Sequence, residues 1–424
     1  GIGLTDYISG AFPIDVTYID KGVQASIEVK GDLTPATLNI APFKYTKAAG
    51  VAGTISLKAS MKGDTLEEVN NLNIKTEGFE FSNGRLIFQK LKDGSTDVAR
   101  GNIPQARLGK TNLKVDFEIT PDDVLKVIAA GAVLDLKPFI QPTQKEKNTP
   151  EATNKKERSM QLSLEAQKLL GEKDQDLKHS KIYLETDTQG DITRIEMDAK
   201  VGTGDIYLRF KPAVDTGKRT FRLESNDAGA TLKAFGLYDN IIGGQLTIYG
   251  EPRKGDAYGN LFGKAQIENF NVRKAPALAK LLGTMSLTGV EDVLQNNGLT
   301  FEKLESDFEW QFRPAGNLLV MKNGRTSGSS LGLTFEGVYS QAQANIDVSG
   351  TIIPLSGVNK AIGDIPLIGQ ILTGGKAFLA ATYKISGNAD DPSVTLNPLS
   401  VLAPGFIRNI LFEESVDSKV KKAQ

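Results

Sequence analysis

Apolar and polar residues alternate one by one along most of this chain. Within Thr54–Met61, Ile55, Leu57, Ala59 and Met61 fall on one side. Leu86 and Phe88 repeat the pattern, and so do Leu113, Val115, Phe117 and Ile119 against Lys114, Asp116 and Glu118. Further on come Ile182 and Leu184, then Ile206, Leu208 and Phe210, Phe221 and Leu223, and Leu246 and Ile248. Runs at Ile192–Val201, Phe308–Phe312, Leu331–Phe335, Asn345–Thr351 and Phe378–Ser386 behave alike. Successive side chains of a strand point to opposite faces, so each run predicts a strand with one greasy and one wet face. Roughly 20 strands of ordinary length are expected.

The separators carry turn chemistry: Ser82-Asn83-Gly84, Lys92-Asp93-Gly94, Thr188-Gln189-Gly190-Asp191, Lys322-Asn323-Gly324 and Ser386-Gly387-Asn388. Asn-Gly and Asp-Gly tolerate the positive φ that tight hairpins need. The 43 glycines suit such a turn-dense meander. Strands joined by short turns pair antiparallel. The expected fold is therefore mainly β and antiparallel, with a few short helices and an amphipathic helical C-terminal end; that the sheet is elongated and curved into a hydrophobic groove is what a family resemblance implies.

Helices are expected at about 121–130, where Thr120 precedes Pro121 at a first helical position, and at Ala228–Phe235, Pro276–Leu282 and Val290–Asn296. Ile362–Leu372 and Leu399–Phe412 read as amphipathic helices. The stretch 141–158 has two prolines, many charges and no large apolar residue. It cannot bury enough surface to order itself and reads as a flexible polar linker. The expected organisation is a β-groove segment at 1–140, the linker at 141–159, a second β-groove segment at 160–350, a cap or docking region at 351–412 and a disordered tail at 413–424.

Composition narrows the chemistry. The 50 basic and 51 acidic residues leave a net charge of -1, which argues against a nucleic-acid partner. The absence of cysteine excludes thiolate zinc sites, iron–sulfur clusters and thiol nucleophiles. It also leans toward an oxidising compartment. The single histidine, His179, lies in a polar run and reads as a solvated surface residue. No apolar run reaches the roughly 18 residues that span a bilayer, and the first residues lack a signal-type core, so the chain reads as a fragment of a longer protein.

Gly328-Ser329-Ser330-Leu331-Gly332 matches the G-x-S-x-G pattern of a nucleophile elbow. That motif requires a strand before it, a helix after it and a histidine base. Here a strand is expected to follow. Gly243-Gly244 and Gly374-Gly375 lack phosphate-loop spacing and read as turns between strands. Asp390-Asp391-Pro392 reads as a turn rather than a metal site. No catalytic residue, metal ligand or cofactor is expected.

Apolar residues are dense between Ile352 and Phe412, yet prolines and glycines interrupt them. Ile365, Leu367, Ile368, Ile371 and Leu372 cover much of one expected helix surface, and Leu402, Phe406, Ile407, Ile410 and Leu411 form another stripe. These are candidates for membrane or partner docking, or for a hydrophobic plug.

Several segments resemble the C-terminal region of the AsmA-like family (YhdP/TamB-type bacterial envelope proteins). They are Ser225-Asn226-Asp227-Ala228-Gly229-Ala230, Phe235 to Asn240, Gly243 to Leu246, Ala275 to Ala279 and Gly298 to Phe301. The run from Gly350-Thr351-Ile352-Ile353-Pro354 through Ile365 to Gly369 and on to Asn397-Pro398-Leu399 and Leu402 to Arg408 is the most specific. The resemblance spans about Leu223 to Phe412. It implies a periplasmic β-groove protein of a Gram-negative-type bacterium, tied to the inner membrane by an upstream anchor and moving phospholipid toward the outer membrane. On that view the acyl chains would lie against Ile55, Leu57, Leu86, Phe88, Val115, Phe117, Ile182, Leu184, Ile206, Leu208, Leu246 and Ile248. The alternative is ordinary packing between two sheets. An assembly factor that templates outer-membrane protein strands by β-augmentation is the rival function.

Overall fold

The computed structural model describes residues 7–20, 22–40, 45–91, 94–135, 158–213, 217–253, 260–284, 294, 297–313, 316–328, 331–354 and 380–399. About 70% of it is strand, so the protein is mainly β. The chain forms two compact units, Gly1–Lys200 and Val201–Gln424.

The first unit carries β1 (Ile8–Ser9), β2 (Ile14–Asp20), β3 (Gln24–Asp32), β4 (Thr37–Ile40), β5 (Tyr45–Lys47), β6 (Gly53–Lys62), β7 (Thr65–Thr76), β8 (Phe79–Lys90), β9 (Thr96–Leu108), β10 (Thr111–Ile119), β11 (Leu125–Asp135), β12 (Met160–Leu170), β13 (Leu177–Thr186) and β14 (Ile192–Val201), whose last residue crosses the boundary. β2 pairs with β3, β3 with β6, and each following strand to β11 with the next, always antiparallel. The exception to the expected antiparallel order is β11 with β12, which run parallel in register from Leu125↔Met160 to Asp135↔Leu170. These two strands flank the expected linker. β1, β4 and β5 form a small separate sheet.

The second unit carries β15 (Gly204–Pro212), β16 (Arg219–Ser225), helix α1 (Ala228–Ala234), β17 (Ile241–Pro252), β18 (Leu261–Val272), helix α2 (Pro276–Thr284), β19 (Leu299–Gln311), β20 (Leu318–Gly328), β21 (Leu331–Ser340), β22 (Asn345–Pro354), β23 (Ala380–Asn388) and β24 (Ser393–Leu399). From β15 to β24 every strand pairs antiparallel with the next. Among the described residues β2 pairs only with β3 and β24 only with β23.

The two helices at 228 and 276 form as the sequence predicts. Asp227 caps α1 by accepting from Ala230 N at 3.0 Å. α2 opens on Pro276 and buries Leu278, Leu281 and Leu282, the spacing of one helical face.

The helix expected at 121–130 is instead a hairpin turn followed by β11. Thr120 N donates to Val124 O at 3.0 Å, and Asp123 takes φ 63°, which ends any helical start. Leu125, Val127 and Ala129 then alternate into the sheet, so tertiary pairing overrides the local capping signal. Ser82-Asn83-Gly84 and Lys322-Asn323-Gly324 are not hairpin turns but lie inside β8 and β20. Gly243-Gly244 likewise lies inside β17 rather than between strands. The same tolerance of positive φ serves a mid-strand bulge as well as a turn. Leu399 ends a strand, although a helix was expected to start there. The remainder of that helix, the helix at 362–372, most of the one at 290–296 and Gly374-Gly375 lie outside the described residues.

Candidate functional site

Strand pairing joins the separate alternations into continuous rows. In the first unit one row runs Val16–Val29–Leu57 across β2, β3 and β6. Beside it, Ala59 meets Val69, Val69 meets Leu86, Leu86 meets Gly101 and Gly101 meets Phe117. The row continues through Val127 and Leu162 to Leu184. Val115 faces Ile103 and Ala129, Phe88 faces Val98, and Ile182 faces Leu164. In the second unit Leu208, Leu223, Ile248 and Ala265 line up. A parallel row holds Phe210, Phe221, Gly250, Gly263, Phe308 and Met321. Ile206 meets Ser225, which meets Leu246.

The opposite face is ionic. Glu28 faces Lys58 at 3.2 Å, Glu80 faces Arg107 at 3.6 Å, and Glu165 faces Lys181 at 3.4 Å, each pair across one ladder. Arg85 reaches Glu68 at 2.8 Å, and Arg325 reaches Glu305 at 2.7 Å. The Arg85 hydrogen bond holds the Glu68 carboxyl below its ordinary range, against a smaller opposing effect of burial. The amide of Asn102 does the same for Asp116, which it reaches at 2.5 Å. Pairs this exposed contribute little stability individually. Their effect is to make one face wet and to fix which face that is.

Within each unit the apolar face has two zones, divided where strands carry a residue at positive φ. Asn71, Asn83, His179 and Asn269 lie at φ 50°, 56°, 51° and 52° in β7, β8, β13 and β18. At these points the alternation slips. In β8 it passes from Phe79 and Phe81 to Leu86 and Phe88; in β19, opposite Asn269 of β18, it passes from Leu299 and Phe301 to Leu304 and Phe308. Such bulges bend a strand. His179 is exposed, and its backbone takes one of these positive-φ positions without shifting the register of β12 and β13.

On one side of the bend the apolar face is sealed. In the first unit the β1/β4/β5 sheet lays Leu38 and Ile40 on Phe79, with Ile8, Tyr45, Ile74, Phe81 and Leu108 around them. Lys47, 2% exposed, anchors this lobe. Its Nζ donates to Ala36 O at 2.7 Å, Val51 O at 3.0 Å and Ala48 O at 3.1 Å. In the second unit α1 packs on β17 and α2 on β24. Ile241, Phe270, Val272, Leu299 and Phe301 are buried there, with Phe270 and Phe301 stacked at 5.4 Å.

On the other side of the bend the apolar face stays open. Of the twelve residues singled out by alternation, Ile55, Ile206, Leu246 and Ile248 are buried. Leu57, Leu86, Phe88, Val115, Phe117, Ile182, Leu184 and Leu208 remain half-exposed. Val127 and Leu162 in the first unit and Phe210, Phe221 and Met321 in the second are half-exposed on the same rows; Phe210 and Phe221 stood in the alternating runs but not among the twelve, and strand register brings in Val127, Leu162 and Met321. Depressions of about 800 and 640 Å³ exist, but most of their lining, such as Arg325, Glu336 and Lys384 or Arg85, Asn102 and Asp116, lies on the ionic face. Of the apolar rows, Gly101, Phe117 and Val127 border the second depression.

Comparison with protein-family models, curated proteins and solved structures finds no match.

The Ser225–Ala230 segment ties α1 to the strands beside it. Asp227 Oδ2 accepts from Thr203 N at 3.0 Å and from Thr203 Oγ1 at 3.1 Å, so the α1 cap also clasps the turn before β15. Asn226 Oδ1 accepts from Asp205 N at 2.6 Å beside it. Asp391 pairs with Lys280 of α2 at 2.5 Å, and Asp391 N donates to Asn388 O at 3.1 Å, a turn as read from the sequence. Gly328 and Leu331 belong to the antiparallel strands β20 and β21, not to a strand–turn–helix elbow. The expected docking residues, Ile365, Leu367, Ile368, Ile371, Leu372, Leu402, Phe406, Ile407, Ile410 and Leu411, lie outside the described residues.

Proposed function

We propose that this chain carries phospholipid acyl chains along the open apolar zone of its sheet, without catalysing a reaction. The observation that carries the reading is the half-exposure of Leu86, Phe117, Val127, Leu162 and Leu184 along one registered row of the first unit, with Leu208 half-exposed in a row of the second. A contiguous apolar surface of this kind in water calls for an apolar occupant. Each methylene of a tail costs about 0.8 kcal/mol in water, so a tail of about 16 carbons faces roughly 12 kcal/mol. Lying along the open zone, the tail escapes most of that cost while its head group stays wet. A row of similar, weak contacts holds the tail nowhere in particular, which favours sliding.

The proposed setting is the periplasm of a Gram-negative-type bacterium, with an inner-membrane anchor upstream and a membrane or membrane-protein contact in the 351–412 region. The family resemblance in the sequence supports this setting. Native mass spectrometry of the purified chain tests the reading. Co-purified phospholipid is the expected result. A lipid-free chain that takes up none from vesicles would refute it, and a trapped β-barrel precursor would point to assembly instead.

A further inference from the structure

β2 forms one edge of the first unit's sheet. β2 is seven residues long and every one of them is exposed. Ile14, Val16 and Tyr18 are 52%, 53% and 60% exposed and lie on the apolar side, in line with Val29 and Leu57.

Among the described residues the backbone of β2 is half used. Asp32 N donates to Pro13 O at 3.0 Å, which extends the Ile14↔Gly31 register by one pair and marks it as hydrogen-bonded. Hydrogen-bonded pairs alternate in an antiparallel ladder. Asp15, Thr17 and Ile19 therefore point their N–H and C=O groups at β3, whereas Ile14, Val16 and Tyr18 point theirs away from it. Proteins ordinarily blunt such an edge with lysine, proline, a bulge or a covering element. β2 has no lysine or proline, and its ladder has no register shift. At the edge formed by β24 the protection is present: Pro398 lies in the strand, α2 packs on it, and Lys280 of α2 donates to Pro392 O at 2.9 Å.

We propose that β2 is a docking edge for one further β-strand from an extended polypeptide segment, bound antiparallel and extending the apolar row by a strand. The chemistry of the occupant follows from the neighbouring ladder. It has apolar residues at alternate positions against Val16 and Tyr18, and a basic residue opposite Asp15, as Lys30 of β3 already stands on the other side. This holds independently of any lipid.

A synthetic peptide with the sequence of β3, Gln24–Asp32, is the probe, and hydrogen exchange of the whole chain is the readout. In peptide excess the amides of Ile14, Val16 and Tyr18 should exchange on the order of tenfold more slowly, and a scrambled peptide should do nothing. Val16→Pro removes an outward N–H without touching the β3 ladder, a placement proline tolerates on an edge. It should abolish the protection and leave β3 exchange unchanged. Tyr18→Lys, which removes no backbone hydrogen bond, should weaken it. Absence of peptide protection overturns the proposal, as does equal protection of the parent and both variants. A peptide-free dimer that already protects these amides and that Val16→Pro dissolves would also overturn it, by giving the edge to a second copy.

Discussion

Phe117 lies directly over Gly101. The two are registered partners across β9 and β10, and Leu86 pairs with Gly101 from the other side. A Cβ added at Gly101 would fall inside the ring of Phe117 and 2.8 Å from Leu86 Cδ2. The glycine is thus required by close approach, not by a turn, and the ring fills the space it leaves on the open apolar zone. Gly101→Ala should cost about 1–3 kcal/mol, the usual range for overpacking. Urea denaturation measures it. An unchanged midpoint would mean that the ring is not seated there.

Lys47 yields a second expectation. Its ammonium satisfies three carbonyls in the loops around β4 and β5, and almost none of it reaches water. Lys47→Met keeps the apolar stem but leaves those acceptors without their donor. Unsatisfied buried polar groups cost about 1–3 kcal/mol each, so the loss should be of that order or greater. It should be local first. Amides in 33–53 should exchange faster than those of β8 to β10, and uniform loss across the unit would show that the lobe is not a separate clasp.

How much of this was legible in the sequence follows from the two kinds of signal involved. The strands and their greasy faces could be read from residues such as Val115 and Phe117, because a period of two is local. The bend could not. Asn83-Gly84 looks the same as a hairpin signal, and only its position inside a twelve-residue strand reveals a bulge. The slip from Phe81 to Leu86 was present in the sequence and is the cue that distinguishes the two. The parallel joint of β11 and β12 is a long-range choice with no local signature. The sealing of Phe79 by Leu38 and Ile40 is another, since the lobe and the sheet are far apart in the chain.

The ionic face predicts an acid response. The folded protein holds the carboxyls of Glu68 and Asp116 below their ordinary values, chiefly through hydrogen bonds from Arg85 and Asn102. A carboxyl depressed on folding contributes stability that is fully present above its unfolded value, about 4. That contribution is lost as the pH falls through the folded value. The melting temperature should therefore be flat near neutrality and fall below about pH 4. Arg85→Met should lower the neutral value slightly and make the acid fall shallower. An acid limb unchanged in this variant would remove Arg85 from the explanation.

Charge in the open zone separates conduction from folding. Leu208 is half-exposed between Ile206 and Phe210, whereas Ile248, two ladders away in the same row, is buried. Leu208→Asp places a carboxylate where water can still reach it, so the chain should fold with a small loss. Ile248→Asp puts the same group where it lacks solvent and should cost several kcal/mol or fail to fold. If acyl chains pass over this row, Leu208→Asp should cut vesicle-to-vesicle phospholipid transfer well below the parent at unchanged circular dichroism. Leu208→Ala, which shortens the side chain without adding charge, should retain most of the transfer. Transfer by a folded Leu208→Asp protein at the parental rate would remove this row from the path of the lipid.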